Sequence, residues 1–238
     1  MKILFKFASR SRPEKFFLHL DNIYIHTREK DFTIIASLDI DDTSMNNEDV
    51  ISKMKIYPHL YPAWGFSKGK IDAVNRDMDK VGEWDILINT SDDMVFTEEG
   101  FDVEIKKDME ENFPNLDGVL HYNDGNQKDN VMTMSIMGKK YFELSGYIYN
   151  PEYISLWCDA EATEVAYMLK KYKYMGDDKI LFRHFHPAWG LAQWDEQYKK
   201  TESQSLWALD KDTIDRRRAI NYGLKSEEIK NDFKYKSL

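Results

Sequence analysis

The 238 residues carry a formal charge of −9, 42% hydrophobic side chains and a single cysteine. The acidic balance argues against a protein whose main task is gripping nucleic-acid phosphates. One cysteine excludes an intramolecular disulfide framework and a zinc site of several thiolates, while the apolar content suffices for a core. No secretory leader and no segment of membrane-spanning length is evident, so the sequence reads as a soluble cytoplasmic protein that touches membranes at most peripherally.

Residues 2–7 (KILFKF) read as a first strand. A turn over 10–13 follows, with Pro13 suited to the first turn of a helix that carries Phe16, Phe17, Leu20, Ile23 and Tyr24 at helical spacing. Residues 32–38 (FTIIASL) form a second strand that runs into Asp39, Asp41 and Asp42. Ile71, Val74, Met78 and Val81 share one face of an amphipathic stretch, and 84–89 (WDILIN) is a third strand ending at Ser91, Asp92 and Asp93. Further strands are expected over 118–122, 131–137 and 179–185, with a helix over 159–172. Beyond His186 the pattern weakens: 187–205 has no clean period, 210–222 reads as a charged helix, and the last dozen residues as a tail. Strands alternating with helical patterns predict an α/β fold with a mostly parallel sheet. Ligands of such sheets bind outside the carboxyl ends of the strands, so the two acidic loops are expected to share one crevice.

Adjacent carboxylates at Asp92 and Asp93 repel each other unless a cation or donor compensates. Mg²⁺ or Mn²⁺ would do so while bridging a diphosphate; a plain turn or helix cap uses the same Thr-Ser-Asp-Asp chemistry. His184 and His186, two apart, lie on one side of a strand, and imidazole suits Mn²⁺. Either is a metal candidate, with His186 favoured as nearer the strand's end. Asp159 and Glu161 open an amphipathic helix, as caps or with Asp159 as a general base at the crevice rim. Trp157 would wall that rim, and Cys158 is a small buried filler. In 121–127 (HYNDGNQ), Asp124 and Asn126 suit sugar hydroxyls or an ordinary turn.

Six segments in order resemble the GT-A-fold glycosyltransferases of the family-two type: KFASRSRPEKF, SLDIDDTS, SKGKIDAVNRDM, NTSDDMVF, CDAEATEVA and FRHFHP. The likeness runs from about residue 2 to 190. It implies a single GT-A-like nucleotide-binding domain over 1–190, its central sheet flanked by helices. Residues 191–238 would form a C-terminal helical extension or flap packed on it. It also implies a UDP- or GDP-linked sugar donor held by Ser9, Arg12, Asp39, Asp41, Lys70 and Asp92. Asp93 and a late histidine would bind Mn²⁺ or Mg²⁺. Asp159 would deprotonate a hydroxyl of a glycan or other acceptor, inverting the anomeric centre, with Asp124, Asn126, Trp157 and Glu161 on the acceptor side. Two departures matter. Ser91 stands where many members have aspartate, and Cys158 where glutamate is usual, so Asp93 and Asp159 inherit the metal and base roles. A nucleotidyltransferase is the competing enzyme, but it would need a glycine-rich, lysine-bearing loop after the first strand, and ASRSRPEKF has no glycine. A non-catalytic sugar- or protein-binding module is the alternative outside catalysis.

Overall fold

The computed structural model describes residues 1–234. In chain order the first half comprises β1 (Ile3–Ser9), α1 (Pro13–His26), β2 (Phe32–Asp39), α2 (Glu48–Met54), β3 (Leu60–Gly65), α3 (Lys70–Asn75), β4 (Ile86–Thr90), β5 (Met94–Phe96) and α4 (Phe101–Asn112). The second half comprises β6 (Val119–His121), β7 (Ser135–Gly138), α5 (Lys139–Phe142), α6 (Cys158–Met168), β8 (Tyr172–Tyr174), β9 (Phe182–His184), α7 (Glu196–Thr201) and α8 (Gln204–Ala219). Seven strands form one mixed, mostly parallel sheet in the order β3-β2-β1-β4-β7-β6-β8; β5 and β9 form a separate antiparallel pair.

Alternation along β1 builds both faces of the sheet. Ile3, Phe5 and Phe7 pack with Phe16, Leu20 and Ile23 of α1 and with Phe101, Ile105 and Met109 of α4. Leu4 faces the opposite layer, where Ile71 and Val74 of α3, Ala160 and Ala166 of α6, and Ile214 of α8 gather. A strand buried on both faces needs a near-continuous apolar run, which KILFKF supplies except at Lys6. That lysine is fully buried and donates to Ser37 Oγ and the Arg76 carbonyl. Burial pulls its ammonium down to about 7.

The predicted elements depart from these in several places. Of the expected 131–137 strand only 135–137 pairs, joined by Gly138, while Met132 N–H is taken by Thr163 Oγ1. The expected 179–185 strand contributes β9, which pairs with β5 outside the main sheet. The 159–172 helix ends at Met168, where Lys170 at φ 57° reverses the chain into β8. Of the expected tail, Lys230 and Asn231 donate to the Met168 carbonyl, and 235–238 lie outside the described residues. Among the described residues no helix is long and apolar enough to cross a membrane.

α8, the helical extension, is bound to α6 by buried ion pairs. Arg217 forks onto Glu161, Nε at 2.6 Å and Nη2 at 2.7 Å, and Arg218 pairs with Glu164. Asp210 accepts the backbone N–H groups of Ile154, Ser155 and Leu156 at 2.7–2.9 Å, fixing the loop that leads into α6.

Candidate active site

β1, β2 and β4 run parallel and end at the same edge of the sheet, and the strand order turns back at β1, with β2 on one side and β4 on the other. This is the switch point at which open α/β sheets form a crevice. A cavity of about 640 Å³ opens there, of the size that holds a small-molecule ligand. Both acidic loops reach it: Asp39 and Asp41 from β2, Asp92 and Asp93 from β4.

Asp93 is the centre of one cluster. Its carboxylate accepts from Ser91 Oγ and, at 2.9 Å, from Tyr198 Oη on α7; His184 Nε2 lies 3.4 Å away. Burial opposes ionisation of Asp93, but His184 and Ser91 overcome it and hold the carboxyl well below the usual carboxylate range. Burial likewise opposes charge on His184, and Asp124 and Asp93 outweigh it, lifting the imidazole to about 9. His184 Nδ1 stands 3.8 Å from Asp124 Oδ2, beyond a direct hydrogen bond. Asp92 faces a different partner, Arg12 Nη1 at 2.9 Å; burial nonetheless pushes its carboxyl up to about 6.

His186 lines the same cavity, its ring 5.4 Å from that of His184, and among the described residues it forms no bond to Asp93. β9 ends at His184, so the strand alternation stops, and His186 caps the short turn over Pro187–Trp189. Its Nδ1 accepts from Ala188 N–H and its Nε2 donates to Glu202 at 2.7 Å, which engages both ring nitrogens.

On the opposite wall Asp159 opens α6. Its Oδ1 accepts from Ala160 N–H at 2.9 Å, and burial raises the carboxyl above its ordinary value, with Lys70 opposing. Lys70, the first residue of α3, lines the same cavity. Among the described residues its ammonium has no hydrogen-bond or ion-pair partner, and its charge acts on both Asp93 and Asp159. Glu161 is carried elsewhere: two residues along a helix turn its side chain to the far side, into the bond with Arg217, Tyr153 Oη and Asn150.

The 121–127 loop is built by the residues read as sugar contacts. Asp124 accepts from Asn126 N–H, Gln127 N–H and Thr133 Oγ1, while Asn126 donates to the His184 carbonyl. Neither lines the cavity; Gln127 and Thr133 do. At the β2 end Asp39 accepts from Arg10 and Ser67, Asp41 from Arg10, and Asp42 is consumed by Ser44 and the Ser11 N–H. Cys158 is buried and its thiol is raised by desolvation, as a filler's would be.

Several lining residues carried no sequence signal. Tyr198 lies under Arg12, whose guanidinium carbon sits 3.9 Å from the ring centroid; Asp195 pairs with Arg12 at 2.7 Å. Trp189 and Trp207 line the cavity from the segment beyond His186, where the pattern weakens. Among the described residues, the buried Ser9 Oγ, Arg12 Nε, Asn89 Oδ1, Ser155 Oγ, Trp157 Nε1 and His184 Nδ1 have no hydrogen-bond partner, and all six residues line the cavity. Buried polar atoms are ordinarily satisfied, so such a concentration marks a place where a polar ligand completes the bonding.

No known family model matches the chain, and no curated protein sequence matches it. Solved structures share the fold. TarS 1–349 from S. aureus in complex with UDP-GlcNAc superposes with a TM-score of 0.59 and 15% identity, covering 77% of this chain and 58% of that one. The same fragment in complex with UDP gives 0.59 and 16% identity over 96% of this chain and 77% of that one. The mannosyltransferase PcManGT from Pyrobaculum calidifontis, in complex with GDP-Man and Mn²⁺, gives 0.59 and 12% identity over 95% and 77%. The chain therefore spans between 58% and 77% of these relatives' lengths, and at such identities the likeness is one of fold.

Proposed function

We propose that this protein is a glycosyltransferase of the GT-A, family-two-like type. It would move a sugar from a UDP- or GDP-linked donor to an acceptor hydroxyl with inversion. The observation that carries the reading is the meeting, in one cavity at the carboxyl ends of parallel strands, of the Asp93–His184 pair, the unpaired ammonium of Lys70 and the raised carboxyl of Asp159.

The donor set fits a hard divalent cation. Among the described residues no group of three or more His, Cys, Asp or Glu forms a closed shell, and a Mg²⁺- or Mn²⁺-type ion does not need one. It takes one or two protein ligands and fills the rest with phosphate oxygens and water. Asp93 and His184 are the two that would hold it, and the buried, unpartnered Nδ1 near Asp124 suits a ring oriented from behind. When bound, the cation would neutralise charge on a departing nucleoside diphosphate.

The remaining steps belong to side chains. Lys70 offers a positive charge to the diphosphate, and the unpaired Arg12 Nε and Ser9 Oγ offer donors beside it. Asp39 and Asp41, at the end of β2, would meet the base and ribose, with Asp92 holding Arg12 in place. Asp159 accepts the proton of the attacking hydroxyl, and its desolvated carboxylate is a better base than a solvated one.

Nucleotide-dependent thermal stabilisation tests the reading. UDP or GDP with Mn²⁺ should raise the melting temperature more than either alone. Incubation with a panel of sugar nucleotides should release nucleoside diphosphate slowly. Asp93→Ala should remove the Mn²⁺-dependent part and leave the fold intact. A protein that no uridine or guanosine diphosphate stabilises, with or without Mn²⁺, is not this enzyme.

A further inference from the structure

The wall of the cavity around Asp159 has features that the donor does not explain. Trp157 sits at the N-cap of α6 with φ 64° and ψ −9°. For a bulky residue this left-handed conformation is strained and persists where surrounding structure enforces it, most often at a functional site. Here the enforcing contact is visible. Asp210 of α8 gathers the three N–H groups just before Trp157, and the carboxylate is buried.

Three residues before Asp210, and so on the same helical face, α8 carries Trp207. Its ring meets that of Trp157 edge to face, centroids 5.6 Å apart at 64°, yet Trp207 remains 48% exposed. The two indoles make a corner that opens into the cavity, and both line it. Two polar atoms stand at the same corner without partners among the described residues: Trp157 Nε1 and the Oγ of the 3%-exposed Ser155. Gln197, Lys200 and Thr201 of α7 line the same cavity, and the Lys200 charge reaches Asp41 at the β2 end.

We infer that the Trp157–Trp207 corner is the acceptor subsite and that the acceptor is a carbohydrate. The inference rests on the glycosyltransferase reading for its location beside the base, and on its own observations for its chemistry. A pyranose ring presents apolar C–H faces and hydroxyl edges. An indole wall takes the first; the indole N–H and the serine hydroxyl take the second. A lipid chain would leave the buried indole N–H and serine hydroxyl without partners. Trp157 precedes Asp159 by two residues, so a ring seated on it brings a hydroxyl to the carboxyl that accepts the proton.

The test uses an array of immobilised oligosaccharides probed with the full-length protein in UDP or GDP and Mn²⁺, for the wild type, Trp207→Ala and Trp207→Phe. Wild type should retain a defined subset of glycans. Trp207→Ala should weaken that retention about 10-fold or more, the scale of one lost aromatic contact, and Trp207→Phe should restore part of it. The nucleotide-induced thermal shift, measured on the same samples, should be equal in all three. A wild type that the nucleotide stabilises but that retains no oligosaccharide overturns the inference, as does equal retention by Trp207→Ala. Absence of nucleotide stabilisation in the wild type overturns the donor reading instead, so the two failures are separable.

Discussion

Raising the pH from 6 to 9.5 should weaken the fold through one imidazole. His184 carries its proton in the folded protein up to about 9 against an ordinary value of 6.5. Between those values the folded state binds more protons than the unfolded chain. The stabilisation is therefore fully present below 6.5 and lost as pH climbs through about 9. At about 1.4 kcal/mol per pH unit the gap sets an upper bound of about 3 kcal/mol. The depressed carboxyl of Asp93 is the same attraction seen from its partner and adds nothing further at these pH values. Lys6 works in the opposite direction: its folded-state value of about 7 lies below that of a free lysine, so the unfolded chain binds the extra proton and stability rises with pH. A single pH profile mixes the two. Urea unfolding of wild type and His184→Gln at half-unit steps separates them, because Lys6 is common to both. The wild-type advantage should shrink by about 2–3 kcal/mol from pH 6 to 9.5. A difference that stays flat across that window would refute the assignment of a charged His184 between Asp93 and Asp124. The same proton reports on metal. If a cation takes the imidazole, Mn²⁺ uptake near pH 7 should release about one proton, seen as a calorimetric heat that varies with the buffer's ionisation enthalpy.

Asp159→Asn keeps the acceptor for Ala160 N–H and removes a desolvated charge, so its stability should match or slightly exceed wild type. Sugar transfer should fall at least ~100-fold with nucleotide binding intact; near wild-type transfer would remove Asp159 as the base. Tyr198→Phe removes a hydroxyl that competes for Asp93, so Mn²⁺ alone should bind up to about 10-fold more tightly, one charged hydrogen bond's worth. Unchanged calorimetric affinity would show that the hydroxyl offers no competition. Arg217→Met leaves the buried Glu161 carboxylate without its cation and should cost about 3–5 kcal/mol in urea unfolding. A cost below ~1 kcal/mol would mean Tyr153 and Asn150 satisfy Glu161 by themselves.

The strands that hold the cavity were legible because doubly buried parallel strands must be continuous apolar runs, and KILFKF, FTIIASL and DILIN are such runs. β3 was hidden by Pro62 and Gly65, tolerable only because it lies at the sheet's edge. α4 was hidden by its polarity: Asp102, Lys106 and Asp108 are buried, with Arg28 N–H, Glu29 and Tyr122 as partners that sequence spacing does not reveal. The acidic loops could be read from strand ends, whereas the roles within them depend on partners far along the chain. Alternation placed His184 and His186 on one side, and both rings reach the cavity although the strand itself ends at His184. Helical geometry, by contrast, already separates Asp159 from Glu161, since 200° of rotation cannot aim both into one crevice. Tyr198 had no signal, because a short capped helix such as α7 buries one residue and leaves no period to detect; Trp207 had none because two of the three buried residues of α8, Asp210 and Arg217, are charged.

The region after residue 190 therefore bears on both ends of the cavity. At the β4 end, Asp195, Tyr198 and Glu202 are bonded to Arg12, Asp93 and His186. At the α6 end, Asp210, Arg217 and Arg218 hold the backbone before Asp159 and two buried glutamates after it. Each bond joins residues more than 15 positions apart, so the arrangement depends on tertiary packing rather than on the local run of either segment. The two halves differ in kind. α8 contributes buried, bidentate and triply donated bonds of the sort that fix a backbone, and α7 contributes single hydrogen bonds from the buried Tyr198 and the C-cap Glu202. A ligand entering the cavity could displace the α7 contacts at the cost of single hydrogen bonds, about 1–3 kcal/mol each, while the α8 contacts would stay. The contacts before Asp159 and those at Asp93 are thus made by separate helices; under the proposed function the first would hold the base rigid while the second gave way to the donor.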